Sequence, residues 1–124
     1  MKETINCENA PAAVGPFVHA KLVNGVLYTS GQLPIDPATG TMPESVEEQA
    51  KQSLANVEAI VKSAGMSKED IFKTTVFVKD LNDFAAVNAI YSEFFGESYP
   101  ARSCVEVARL PLDAKVEIEV IATK

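Results

Sequence analysis

Hydrophobic and polar residues follow two different periods along this chain, one typical of helices and the other typical of strands. Between Ser45 and Gly65, apolar residues recur every three or four positions, which predicts one buried helix face. Ser45 and Glu48 have the spacing of a capping box, and glycine commonly ends helices, so both ends of this helix are marked. Its buried stripe is expected to comprise Val46, Ala50, Leu54, Val57, Val61 and Ala64.

A second helix is predicted from Asp80, a favourable N-cap residue, to about Phe95. Asn88 falls inside its apolar stripe. Because a buried amide has to be hydrogen-bonded, Asn88 is expected either to cap a neighbouring loop or to line a pocket. The stripe itself consists of Phe84, Val87, Tyr91 and Phe94.

The other apolar segments are short and rich in β-branched or alternating residues, which predicts strands. A hairpin over residues 18–30 is predicted around Asn24-Gly25, because both turn residues tolerate positive φ. Residues 31–44 contain several glycines and prolines and are expected to form a loop. The remaining predicted strands are residues 72–79, 104–108 and 115–122.

The last predicted strand has two chemically different faces. Val116, Ile118, Val120 and Ala122 point to one side, and the two carboxylates point to the other. Those carboxylates belong to Glu117 and Glu119.

The predicted order is ββαβαββ, which fits a single α+β domain over residues 1–124 with two helices on one face of a mixed sheet. The other sheet face mixes polar residues with Phe77, Val105 and Val107. Such a surface suggests contact between subunits, although the pattern alone leaves open whether it meets solvent instead.

Composition narrows the classes of function. The formal net charge is −6, so a phosphate backbone would be repelled on average. No apolar run approaches the ~20 residues of a membrane span, and no signal-peptide core is present, so a cytoplasmic location is expected. Cys7 and Cys104 form no metal-type pair, and a single histidine, His19, gives little support to a catalytic triad.

Arg102 stands out near the C-terminus because it follows a proline and directly precedes a predicted strand. Its planar guanidinium can bind a carboxylate through two parallel hydrogen bonds, which is compatible with a pocket for a small anion. The alternative is a solvated surface arginine at the head of an ordinary strand, which is the commoner situation.

This C-terminal segment, Tyr99 to Ala122, resembles the signature of the RidA (YjgF-type) family of enamine/imine deaminases. Further segments are similar to family segments in the same order, so the resemblance covers almost the whole chain. It implies a chorismate-mutase-like fold and a homotrimer whose sheets pack around a central barrel, with three sites in the clefts between subunits. The further segments are Asn9-Ala-Pro-Ala-Ala-Val-Gly-Pro-Phe17, Thr29-Ser-Gly-Gln32, Gln52-Ser-Leu-Ala-Asn-Val57, Lys73-Thr-Thr-Val-Phe-Val-Lys-Asp80 and Asn82-Asp-Phe-Ala-Ala-Val-Asn88.

The resemblance also implies catalytic roles for three residues. Arg102 would bind the substrate α-carboxylate, and Glu117 would hold or activate a water near the imine carbon. Cys104 would contribute its main-chain N–H and carbonyl, rather than its thiol, to an oxyanion-type site. Glu119 has the same residue type and the same strand face as Glu117 but no expected role, so it is the natural comparator.

Four further residues are implied to contact the substrate: Phe17, Ser30, Gly31 and Asn88. From the residues alone, Ser30 and Gly31 are equally well explained as the end of a strand. Phe17 departs from the family, in which many members have tyrosine, and it lacks the hydroxyl donor and acceptor. This departure bears on the rate or the preferred side chain more than on the type of reaction.

The implied function is cofactor-free hydrolysis of 2-imino acids, derived from 2-aminoacrylate and 2-aminocrotonate, to 2-keto acids and ammonia. No metal, organic cofactor, nucleic acid or membrane partner is expected. The alternatives are a non-catalytic sensor of small carboxylates or keto acids, a ribonuclease or translation-inhibiting role, and a chaperone-like trimer surface. The acidic balance and the lack of an aromatic-basic stripe argue against RNA binding.

Overall fold

A six-stranded mixed sheet with two helices organises the chain, and the computed structural model describes residues 1–124. The spatial order is β1-β2-β3-β6-β4-β5, in which only β4 and β5 run parallel. The predicted α+β class and mixed sheet are confirmed. The elements are β1 (Lys2–Ile5), β2 (Ala20–Val23), β3 (Val26–Thr29), α1 (Val46–Ser63), β4 (Ile71–Val78), α2 (Phe84–Phe95), β5 (Ala101–Glu106) and β6 (Val116–Thr123).

The observed order, βββαβαββ, has one more strand than the prediction. The extra strand is β1, which pairs antiparallel with β2 from Lys2 opposite Val23 to Ile5 opposite Ala20. Only Ile5 is buried in β1, because this strand lies at the sheet edge. An edge strand can be polar along most of its length, so it lacks the alternation that identifies a half-buried strand.

The predicted hairpin is confirmed, with β2 and β3 joined by Asn24-Gly25. Both turn residues have positive φ, 51° for Asn24 and 83° for Gly25, as a two-residue turn that follows the twist of the strands requires. The strands are shorter than predicted and end at Thr29, and Ser30 and Gly31 come directly after β3.

Helix α1 begins directly after Ser45, whose Oγ accepts a hydrogen bond from the backbone N–H of Glu48 at 3.1 Å. Only this half of the predicted capping box forms. Of the predicted stripe, all members except Ala64 are buried. The helix also buries a polar row, Gln49, Ser53 and Asn56, which the periodicity did not indicate. No helix in the structure is long and apolar enough to cross a membrane.

The start of α2 differs from the prediction. Asp80 caps a short 3₁₀ turn, Leu81–Asp83, by accepting from the N–H of Asn82, and α2 begins only at Phe84. The buried side chains of α2 are Val87, Tyr91 and Phe95. Phe84 is 39% exposed, so the buried face is rotated relative to the predicted stripe.

Strand β5 starts at Ala101, three residues earlier than predicted, and ends at Glu106. Arg102 therefore lies within the strand and does not precede it. Pairing with β4 in parallel explains the earlier start, since Lys73 opposes Ala101 and Thr74 opposes Arg102. Such long-range pairing leaves no local signal in the sequence.

The two faces of the sheet have different surroundings. The helix-facing side contains the core, with Leu27, Val76 and Ile118 fully buried. No helix covers the opposite face, where Tyr28 is 47% exposed and Val105 is 43% exposed. This uncovered face is the mixed polar and apolar surface predicted from the sequence.

Candidate active site

Arg102 extends from β5 toward α2 and is held there by three side chains. Its Nη1 donates to Asn88 Oδ1 at 2.7 Å. The guanidinium carbon lies 4.7 Å from the ring centroid of Tyr91 and 5.4 Å from that of Phe84. No carboxylate is within ion-pair distance of it. One of its five N–H donors is engaged, so the guanidinium keeps both its charge and most of its donors for a ligand.

Phe84, Asn88 and Tyr91 are spaced i, i+4 and i+7 on α2 and therefore occupy one helix face. Asn88 was predicted from the sequence as a site residue, whereas the two rings were predicted only as members of the apolar stripe of the helix. The regular spacing of an amide between two aromatic residues was the available signal. Asn88 bonds to the arginine instead of capping a loop, so it orients the guanidinium.

A hydrogen bond of 2.7 Å between the Tyr91 hydroxyl and Thr74 Oγ1 on β4 fixes the position of the Tyr91 ring. Burial raises the pKa of Tyr91, and this outweighs the opposing effects of the Thr74 hydrogen bond and the nearby Arg102. The ring thus stays neutral at physiological pH and offers its face to the guanidinium.

Cys104 follows Arg102 by two residues on β5, with its thiol on the helix-facing side. Burial raises the pKa of the thiol, which is only partly offset by the charge of Arg102, so the thiol stays protonated at neutral pH. The Val107 N–H bonds to the carbonyl of Val78 at 2.9 Å. In a parallel pair alternate residues bond to the neighbouring strand, so the main-chain groups of Arg102 and Cys104 point to the open sheet edge.

A second set of predicted site residues lies elsewhere. Phe17, Ser30, Gly31 and Glu117 all line one cavity of about 600 Å³. Most of the remaining wall is apolar and is formed by the 11–14 segment, by Leu33 and Ile35, and by Pro111 and Leu112. Glu117 is the only carboxylate in this wall.

Glu117 and Gly31 touch so closely that a side chain at position 31 has no room. A Cβ atom built on Gly31 would lie 2.5 Å from Glu117 Oε2 and 2.9 Å from Cδ. Burial raises the pKa of Glu117, and the neighbouring charge of Glu119 raises it further. No lysine or arginine is within ion-pair distance, so Glu117 is an unpaired carboxylate with increased basicity.

Ser30 connects the Glu117 cavity wall to Val18 and His19 through two hydrogen bonds. Its Oγ donates to the carbonyl of Val18 at 2.6 Å, and its N–H donates to the carbonyl of His19 at 2.8 Å. The N–H of Gly31 has no acceptor within the chain. The main chain next to Glu117 therefore keeps one free donor.

His19 is buried and fully engaged. Its Nδ1 accepts from the N–H of Cys7 at 2.8 Å, which leaves Nε2 to donate to the carbonyl of Pro11 at 2.6 Å. These bonds define the Nε2–H tautomer and hold the segment that forms one side of the cavity. The only histidine in the chain thus has a structural role here.

The two sets of residues are on opposite faces of the sheet. Arg102 opposes Thr74 in β4, while Glu117 opposes Phe77, and residues an odd number apart in a strand point in opposite directions. The Arg102 cluster comprises Arg102, Asn88 and Cys104, and the Glu117 cavity contains Phe17, Ser30, Gly31 and Glu117. A single chain does not bring them together.

The fold and these two clusters define a small α+β protein with a candidate carboxylate-binding arginine and a separate, carboxylate-containing cavity. Residues 7–124 match the family described as Endoribonuclease L-PSP. The chain therefore belongs to this family, and its resemblance to the RidA (YjgF-type) group is confirmed.

Curated relatives match over the full length. The 2-iminobutanoate/2-iminopropanoate deaminase of Salmonella typhimurium is 60% identical, with 100% of this chain and 99% of the relative covered. The protein of the same name from Escherichia coli K12 is 59% identical with the same coverage.

Solved structures agree with the fold. The crystal structure of the YjgF gene product from E. coli has a TM-score of 0.96 at 58% identity, with 98% of each chain covered. The structure of E. coli TdcF with bound serine has a TM-score of 0.95 at 51% identity, also with 98% of each chain covered.

Proposed function

We propose that this chain is a hydrolytic deaminase that converts 2-imino acids to 2-keto acids and ammonia. Its substrates are the imine tautomers of 2-aminoacrylate and 2-aminocrotonate. The observation that carries the proposal is Arg102, a half-buried guanidinium that is oriented by Asn88 and two rings but has no carboxylate partner. The names of relatives about 60% identical over the full length support the same reaction.

The proposed site is formed between copies of the chain in a homotrimer. The Arg102 cluster of one copy meets the Glu117 cavity of the next, and the uncovered sheet faces pack around a central barrel. Three features support this arrangement: the two halves lie on opposite sheet faces, their charges are complementary and unpaired, and β5 has a free edge. Three-fold closure gives three equivalent sites.

In the proposed reaction, Arg102 binds the substrate carboxylate and thereby sets the position of the imine carbon, C2. Glu117 of the neighbouring copy accepts a proton from water while the water oxygen adds to C2. The main-chain N–H of Cys104 donates to the added oxygen. The proton taken up by Glu117 passes to the imine nitrogen, which completes a neutral carbinolamine. The hydroxyl proton of the carbinolamine then passes through Glu117 to the same nitrogen, the C2–N bond breaks, and ammonia leaves as the C2 carbonyl forms.

The second candidate is a non-catalytic sensor of small carboxylates or keto acids. It is favoured by Phe17, which is 49% exposed at the cavity and offers no hydroxyl to a bound substrate. Such a protein would bind 2-ketobutyrate through Arg102 without accelerating hydrolysis.

The family description names an endoribonuclease, and we do not extend that activity to this chain. His19, which could act as an acid or base, is buried with both ring nitrogens engaged. The net charge of −6 also opposes RNA binding. The chaperone-like surface and the cytoplasmic location stay predictions.

The test is pyruvate formation from 2-aminoacrylate generated in situ by a serine dehydratase. Free enamine hydrolyses unaided, so rates are compared among no added protein, wild type, Arg102→Ala and Glu117→Ala. We expect acceleration by wild type that both substitutions abolish. No acceleration by a folded, trimeric wild type would reject the deaminase for this substrate, and retained 2-ketobutyrate binding would then select the sensor.

A further inference from the structure

Helix α1 buries a row of polar side chains, Gln49, Ser53 and Asn56, beside its apolar stripe. Ser53 is 0% exposed and Asn56 is 1% exposed, and they lie one and two helical turns after Gln49. Buried polar groups cost free energy unless they are hydrogen-bonded, so the partners of this row indicate its purpose. Ser53 and Asn56 belong to the family-like segment Gln52 to Val57, which has no role in the reaction proposed above.

The partners are main-chain carbonyls of the segment that follows Gly31. Ser53 Oγ donates to the carbonyl of Gln32 at 2.7 Å. Asn56 Nδ2 donates to the carbonyls of Leu33 at 3.0 Å and Ile35 at 2.9 Å. Gln52 Nε2 in turn donates to Asn56 Oδ1 at 2.9 Å, which fixes the orientation of the amide.

The segment held in this way is a wall of the Glu117 cavity, since Gln32, Leu33 and Ile35 all line it. Gln32 also forms the bridge to β6 beside Glu117: its N–H donates to the carbonyl of Ile118 at 2.8 Å. Its neighbour Gly31 is the residue against which the Glu117 carboxylate rests. A displacement of the segment would therefore move the surface that positions the carboxylate.

We propose that Ser53 and Asn56 are positioning residues for the deaminase reaction, which hold the 31–35 segment so that Gly31 places the Glu117 carboxylate against the attacking water. This inference rests on the proposed function. Misplacement of a reacting group by about 1 Å can cost on the order of 10²-fold in rate, so a small shift of this wall is sufficient.

The experiment compares Ser53→Ala and Asn56→Leu with a matched control, Gln49→Met. Gln49 lies on the same helix face, is 4% exposed, and bonds to the carbonyl of Pro43 and the N–H of Lys115, neither of which lines the cavity. For each protein, kcat, KM and Tm are measured. The titration of the Glu117 carboxyl carbon is followed by ¹³C NMR and assigned by its loss in Glu117→Gln.

We expect Ser53→Ala to lower kcat about threefold to tenfold and Asn56→Leu to lower it more than about tenfold, because the carboxylate loses its placement. KM should change by less than about twofold, since Arg102 is untouched. The Glu117 titration midpoint should fall toward the ordinary carboxyl range as water enters. Gln49→Met should lower Tm comparably but leave kcat and the midpoint unchanged.

Equal losses of Tm in all three variants, with kcat and the Glu117 titration unchanged, would overturn the proposal. Ser53→Ala removes a single hydroxyl and is expected to fold. Should Asn56→Leu fail to fold, the result for Ser53→Ala is therefore sufficient to test the proposal. The NMR titration needs no substrate. If the wild type is not a deaminase, the titration midpoint of Glu117 in the Ser53 and Asn56 variants still tests the positioning role: an unchanged midpoint rejects it and a shifted midpoint supports it. Failure of the positioning proposal can therefore be distinguished from failure of the deaminase proposal.

Discussion

Arg102 and Glu117 lie on opposite faces of the same sheet, although both occupy strands that pair with β4. Thr74, the register partner of Arg102, is fully buried beneath the helices, whereas Phe77, the partner of Glu117, is on the face that no helix covers. A bound molecule the size of a 2-imino acid could not reach both side chains of one chain. This relationship is the reason for placing the proposed site between copies.

Mixing two inactive variants should restore activity if each site draws its arginine and its glutamate from different copies. In trimers formed from equal amounts of Arg102→Ala and Glu117→Ala, about one quarter of the sites combine an intact arginine with an intact glutamate. Activity should thus return to about a quarter of the wild-type value. The measurement is pyruvate formation by co-expressed, differently tagged chains.

Arg102→Ala mixed with the double variant Arg102→Ala/Glu117→Ala is the control, because no combination contains an intact arginine. Mixed trimers that are verified by native mass spectrometry but stay inactive would show that the two residues do not cooperate across copies.

Replacing Asn88 with aspartate should harm substrate binding more than replacing it with alanine. The native amide accepts from Arg102 at 2.7 Å without neutralising it, whereas a carboxylate in its place would pair with the guanidinium and compete with the substrate. We expect KM to rise about 10- to 100-fold for Asn88→Asp and less for Asn88→Ala. Binding of 2-ketobutyrate, measured by calorimetry, provides the same comparison without turnover.

Ser92→Ala is the matched control on the same helix, since the Ser92 hydroxyl bonds to Tyr99 in an exposed position, away from Arg102. Equal binding by Asn88→Asp and Asn88→Ala would contradict an anion-binding role for Arg102.

A single methyl group at position 31 should remove most of the activity while leaving the fold intact. The added Cβ would overlap the Glu117 carboxylate, which is at the end of a flexible side chain and would be pushed aside. We expect Gly31→Ala to lower kcat on the order of 10²-fold with a small change in Tm. The double variant Gly31→Ala/Glu117→Gln should be no worse than Glu117→Gln alone, and fully additive losses would argue against this coupling.

Activity should decrease at acidic pH, and the midpoint of this decrease should lie above the ordinary pKa of a glutamate carboxyl. Burial, and then the charge of Glu119, raise the pKa of Glu117 from 4.5. Only the deprotonated carboxylate can accept a proton from water, so kcat decreases as pH falls through the raised pKa. Glu119→Gln removes the like charge and should move this acid limb to lower pH without changing kcat at neutral pH.

A pH profile of wild type, Glu119→Gln and Glu117→Gln measures this effect. The acid limb should be lost in Glu117→Gln together with most of the activity. An identical limb in wild type and Glu119→Gln would mean that another group controls it.

Cys104→Ala should be nearly as active as wild type. Burial raises the pKa of the thiol, and its proposed contribution is the main-chain N–H, which alanine keeps. We expect kcat/KM to change by less than about threefold, with a loss of stability of about 1 kcal/mol from the smaller side chain. A loss of activity above a hundredfold in the folded variant, measured by the same pyruvate assay, would instead indicate a nucleophilic thiol.

The candidate site was predictable only in part. Arg102 and Glu117 could be assigned roles because their segments resemble a known family, whereas Asn88 also stands out as a polar residue inside the apolar stripe of the second predicted helix. The stacking of Arg102 on Phe84 and Tyr91, and the contact of Gly31 with Glu117, join segments far apart in the chain. The contact of Gly31 with Glu117 has no local signal, and the spacing of the two rings around Asn88 indicates a shared helix face but not that Arg102 packs on it.

The sequence by itself determined the elements whose signals are local. Helix α1 follows from its apolar period and the Ser45 cap, the hairpin follows from Asn24-Gly25, and β6 follows from its alternation. In each case propensity, capping or burial acts over a few residues, so neighbouring side chains are sufficient to specify the conformation.

The tertiary structure alone decided the features that depend on distant partners. Strand β1 forms because β2 offers it a hydrogen-bonding edge, and β5 begins at Ala101 because β4 runs parallel beside it. The registers with which β5 and β6 pair with β4 place Arg102 and Glu117 on opposite faces, since the side chains of a strand alternate and the partner strand defines which face is buried.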